Sequence, residues 1–166
     1  MRLRRRIVCL LMTFLTLLIE TSVLPFTGLG MQFVPRVCLV NVILIGTILG
    51  STQGIIYGAL AGILLGISVY QPSGLIAALY TICALTAGFL SRRVKPALVT
   101  LIPPAGAYAL YEISMLVYFY ISTGFFPSAR LGYAGIRLVI ALVLTQILYI
   151  PGIRILKPTS IGKARR

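Results

Sequence analysis

Residues 46–66 read GTILGSTQGIIYGALAGILLG, with glycine at 46, 50, 54, 58, 62 and 66. From Gly54 to Gly66 the four-residue spacing falls inside one unbroken apolar run. A helix there carries a smooth, slowly spiralling glycine stripe roughly 18 Å long, at 1.5 Å per residue. In water each such glycine weakens a helix by about 1 kcal/mol relative to alanine. Hydrocarbon enforces the helix regardless, because the backbone has no other hydrogen-bond partner there. The missing side chains then let a second helix approach closely. Gly54, Gly58, Gly62 and Gly66 therefore form a helix-packing face, either against a neighbour in the same bundle or against a partner chain.

Composition gives the surroundings of that helix. The 166 residues are 59% hydrophobic and only 10% charged, with a mean hydropathy of +1.04. Soluble domains carry roughly 25% charged residues, so the whole chain reads as one integral membrane domain. The net charge of +13 is not a nucleic-acid-binding pattern. The basic residues flank apolar runs and crowd the termini, where the positive-inside bias and anionic lipid account for them. Histidine and aspartate are absent, and the acids are Glu20 and Glu112 alone. That leaves no supported acid–base dyad, nucleophile triad, metal cage or phosphate loop. The reading is a non-enzyme without cofactor. Cys9, Cys38 and Cys83 lie in apolar runs without metal-ligand spacing and read as packed, reduced thiols.

Six spans are expected, over roughly 7–24, 37–50, 54–68, 75–90, 97–121 and 135–156. The first resembles a signal peptide but lacks a small-residue cleavage site and is read as retained. Residues 26–35 are too apolar for a free loop and suit the interface. Ser51–Gln53 is expected to turn a tight hairpin, and 70–74 to form a turn. Pro103-Pro104 is expected to kink the fifth span. Phe125, Phe126 and Tyr133 mark 122–133 as an interfacial loop. The sixth span is expected to bend near Pro151-Gly152, before a basic tail. With both termini in the cytoplasm, twelve basic residues fall inside and three, Arg36, Arg130 and Arg137, fall outside. The opposite orientation reverses this bias, so the cytoplasmic assignment is the expectation.

Polar groups inside spans are costly and usually face the protein interior. Glu20 and Glu112 both stand about 20 Å from the cytoplasmic start of their helices, at similar depth in the outer half. Arg137 is placed to pair with one of them. Each acid reads as half of a structural pair, as a protonated hydrogen-bonded group, or as a contact to a partner or polar ligand. Asn41, Thr145 and Gln146 read as hydrogen bonds between helices.

With its spans placed, the chain resembles the rod-shape-determining protein MreD family. The resemblance rests on the basic start and a first span ending TSVLPF, and on a proline-led second span, PRVCLVNVILIGTILGSTQG. It continues through YGALAGILLG and QPSGLIAALYTICALTAGFLSRR to a basic tail. Two positions differ: Arg36 stands where family members often carry aspartate, and Gly66 where they often carry an acid. The family implies a bacterial inner-membrane scaffold of the cell-elongation machinery. It would bind MreC, and through MreC be linked to MreB and the RodA–transpeptidase pair. Its fold resembles the substrate-binding subunits of energy-coupling-factor transporters. The alternative function is therefore capture of a vitamin-type small molecule, served by a separate ATPase module.

Overall fold

The computed structural model of the chain describes residues 2–23, 36–68, 73–95, 98–125 and 128–156. Among them it is all helix: α1 (Arg2–Leu18), α2 (Val37–Leu49), α3 (Ser51–Ser68), α4 (Ser73–Arg93), α5 (Ile102–Thr123) and α6 (Ser128–Leu156). A π-helical turn, Ile19–Val23, extends α1. By length and composition, α3, α4 and Leu131–Ile155 of α6 are long and apolar enough to cross a membrane. α5 carries Glu112, two prolines and several tyrosines among its 22 residues, which dilute its hydropathy.

The glycine stripe packs inside the bundle, and α3 makes its most extensive contact with α4. The buried residues of α3 are Gly54, Tyr57, Gly58, Ala61, Gly62, Leu65 and Gly66. Those of α4 are Ile76, Leu79, Tyr80, Cys83, Ala84, Ala87 and Gly88. Both sets advance by alternating steps of three and one, so each is a pair of adjacent rows repeating every four residues, the i±4 ridge by which small-residue helices pack closely. The helices run antiparallel, with Gly54 against Ala84, Gly58 against Tyr80 and Thr81, Gly62 against Ala77, and Gly66 against Ser73. A methyl group on Gly58 would sit 2.9 Å from the Tyr80 carbonyl oxygen, and one on Gly62 would overlap the Ala77 backbone. Only glycine permits this approach.

The centre of the bundle is α2. Every residue from Cys38 to Ile48 is buried, and the helix touches all five others. A helix apolar on all sides belongs in a core; one polar side chain, Asn41, and Thr47 interrupt it. Its 13 residues span about 20 Å, less than the ~30 Å of a hydrocarbon layer. α1 lies against it through Cys9, Thr13 and Leu17, spaced by four, while Ile7, Leu10, Leu11, Phe14, Leu15 and Leu18 face outward.

Several boundaries differ from expectation. Ser51, Thr52 and Gln53 are helical, and the break is Gly50 alone, at φ 97° and ψ 169°. Its N–H closes α2 on the Gly46 carbonyl and its carbonyl accepts from Gly54 N–H. One residue suffices because this backbone region is nearly exclusive to glycine. Pro103 and Pro104 open α5 instead of kinking it: in a first turn the missing N–H groups cost nothing. α6 begins at Ser128, so Tyr133 is helical, and α5 ends on Gly124 at φ 73°. α6 continues through Pro151 to Leu156. The expected interfacial segment 26–35, the position Phe126 and the basic tail lie outside the described residues, as does most of the turn at 70–74.

Candidate functional site

The charged groups of the interior gather in one layer, at the end of the bundle where α1 gives way to α2. The π-helical turn aims Glu20 at the first turn of α2. Its Oε2 accepts the Cys38 N–H at 2.8 Å, and its Oε1 lies 3.1 Å from Nη1 of Arg36. Arg36 is the N-cap residue of α2 but caps nothing with its own side chain. The cap therefore comes from a different helix: a carboxylate satisfies one of the free N–H groups and sits against the positive helix end. The Arg36 backbone N–H in turn donates to the Tyr108 hydroxyl at 3.2 Å.

Three tyrosines wall this pair. Tyr80 is fully buried on α4, and its ring meets Tyr111 edge-on, centroids 5.9 Å apart at 75°. Tyr108 and Tyr111 lie 6.2 Å apart at 53°. Arg36 is close enough to act electrostatically on both Tyr80 and Tyr111. Across the layer, Glu112 on α5 pairs with Arg137 on α6, Oε2 to Nη2 at 3.1 Å. Tyr108, which accepts from the Arg36 N–H, stands one helical turn before Glu112 on α5, which puts the two pairs in one assembly. Two acids and two arginines make it formally neutral. Its remaining hydrogen-bonding capacity is narrow: Tyr80 Oη, Glu112 Oε1 and Arg137 Nε are buried and find no partner among the described residues.

Other polar positions serve helix contacts. Asn41 reaches back to α1, its Nδ2 lying 3.4 Å from Thr16 Oγ1 and 3.5 Å from Thr13 Oγ1. Gln146 on α6 donates to the Thr100 carbonyl at 2.9 Å, tying α6 to the segment before α5. Thr145 does not bridge helices; its hydroxyl returns to the Ala141 carbonyl of its own helix at 2.7 Å, the usual back-bond of a helical threonine. Gly54, Gly58, Gly62 and Gly66 stand away from this layer's chemistry, in the α3–α4 seam. Sequence reasoning placed Arg137 beside an acid but treated Arg36 as a loop charge. It did not single out Tyr80, Tyr108 and Tyr111, although Tyr108, Tyr111 and Glu112 share a helical face by their spacing.

Cys9, Cys38 and Cys83 are free and buried. Among the described residues, no group of His, Cys, Asp or Glu is placed to hold a metal ion. Comparison of the chain with family models, with curated proteins and with solved structures yields no match.

Proposed function

We propose that this protein is a non-enzymatic membrane scaffold of the MreD type, spanning a bacterial inner membrane six times with both termini in the cytoplasm. Its first partner would be MreC. The observation that carries this reading is the charge balance of the interior. Each acid pairs with one of the chain's own arginines, so the layer is formally neutral and offers no net charge to a cargo. An ion pair of this kind holds helices in register, which suits a part whose task is to keep a fixed shape. With the glycine stripe occupied by α4, a partner helix would take another face. The outward side chains of α1, α5 and α6 are apolar throughout much of their length.

The alternative, a vitamin-binding subunit of an energy-coupling-factor transporter, draws on the three unpartnered polar atoms of the layer. Co-purification from a mild detergent extract of native cells separates the two. MreC in the eluate is the expected result. A retained vitamin together with an ATPase pair would replace the scaffold reading with the alternative.

A further inference from the structure

The opposite end of the bundle holds a cavity of about 620 Å³, inside the ~300–1,000 Å³ range of small-ligand sites. It opens where α2 and α4 end and the last turns of α6 pass. Ile48, Leu49, Val94, Val99 and Ile153 line it with aliphatic side chains and Thr47, Ser91, Arg92 and Tyr149 with polar ones, so that more of its surface is polar than apolar. The guanidinium of Arg92 lies over Gly50, with Nη2 3.3 Å from where a Cβ on that glycine would be. No side chain on Gly50 closes the mouth.

Charge decides what this cavity suits. The chain contains only two acidic residues, and both are paired in the distant layer with Arg36 and Arg137. No acidic side chain remains anywhere in the sequence to neutralise Arg92. Lys95 and Arg154 follow directly on the lining residues Val94 and Ile153 and deepen the positive potential. The tail from Lys157 to Arg166 adds only further positive charge. An anion that pairs with Arg92 comes from outside the chain, and the aliphatic side chains of the lining give a hydrocarbon tail a place to lie.

We propose that this cavity binds one anionic phospholipid. Its phosphate meets Arg92, with the Tyr149 hydroxyl at hand, and the upper methylenes of an acyl chain lie against Ile48, Val99 and Ile153. Basic pockets between membrane helices bind anionic head groups on the same grounds. This assignment is independent of the scaffold reading, since it concerns the other end of the bundle.

The test uses the full chain in a neutral detergent, titrated with phosphatidylglycerol or phosphatidylcholine and read by native mass spectrometry and by thermal unfolding. The expected result is one phosphatidylglycerol retained preferentially over phosphatidylcholine, together with a raised unfolding midpoint. Arg92→Gln should weaken that binding about tenfold or more. Arg93→Gln, whose guanidinium stacks 4.6 Å above the Phe89 ring, should change it little. Val99→Trp narrows the cavity and displaces part of its aliphatic wall while keeping Arg92, and should reduce the preferential binding, so the result does not hang on one variant folding. Equal losses from Arg92→Gln and Arg93→Gln would reduce the effect to diffuse attraction and overturn the site. Equal protection by millimolar inorganic phosphate would overturn the lipid assignment in favour of a free anion. Undiminished phosphatidylglycerol binding by Val99→Trp would overturn it as well.

Discussion

Arg36 shows how much one residue's surroundings change its meaning. In the sequence it is a lone cation in a connecting segment. In the fold it meets Glu20, whose other oxygen holds the first turn of α2. Breaking a buried pair from one side leaves an uncompensated charge and costs about 3–5 kcal/mol. Glu20→Gln should therefore destabilise strongly, while the double variant Glu20→Met with Arg36→Met should recover part of the loss. Unfolding in detergent, compared across the two, measures it. Glu112→Gln should be milder than Glu112→Leu, because the amide oxygen still accepts from Arg137. Equal, negligible effects of the two would mean that the pair contributes nothing to stability. Both acids were legible as interior groups, since a carboxylate within an apolar run has few other places to go. Arg36 was less legible as a partner, because it stands sixteen residues after Glu20 and no local pattern links the two.

At the scale of elements, the α3–α4 seam and the hairpin before it were readable, but the residue that turns the hairpin was not. Glycine every four residues announces close packing whatever the neighbour. The neighbour itself, α4, follows from the seven buried positions that mirror those of α3. Gly62→Leu drives a branched side chain into the Ala77 backbone and should cost roughly 1–3 kcal/mol or more, as overpacking does. Ile63→Leu, on the outward face, should be nearly silent in the same thermal assay. Gly50→Ala tests the one-residue link. At φ 97° an alanine is strained by about 1–3 kcal/mol, and the loss should appear as a lowered unfolding midpoint with unchanged helix content. Ser51–Gln53 looked like the turn because they are polar. Polarity marks where a chain leaves lipid, whereas backbone conformation marks where it reverses.

For the whole molecule, the apolar pattern located all six helices among the described residues, with their ends shifted by up to seven residues. It did not identify the centre. The glycine helix draws the eye in the sequence, yet α2 is the one enclosed on every side. Nothing in VCLVNVILIGTIL distinguishes burial in protein from exposure to lipid tails, since both surroundings are apolar. The proposed orientation has its own check. Reporter fusions after Arg93 and after Arg166 should read cytoplasmic, and one near Ser128 external. An external signal from the Arg166 fusion would overturn the six-span arrangement.

The enclosure of α2 also bears on how the protein is made. A ribosome releases α2 early and α6 last, and Ile48 meets its neighbour Gly152 on α6 only then. The α3–α4 hairpin can assemble as soon as Arg93 emerges, because its contacts are local. Throughout that interval the side of α2 meant for α5 and α6 is bare, carried by a helix too short to span the bilayer alone. The chain is thus expected to be most exposed to membrane proteases between its fourth and sixth helices. A lesion in α6 should be read out as lost abundance before any loss of partner binding.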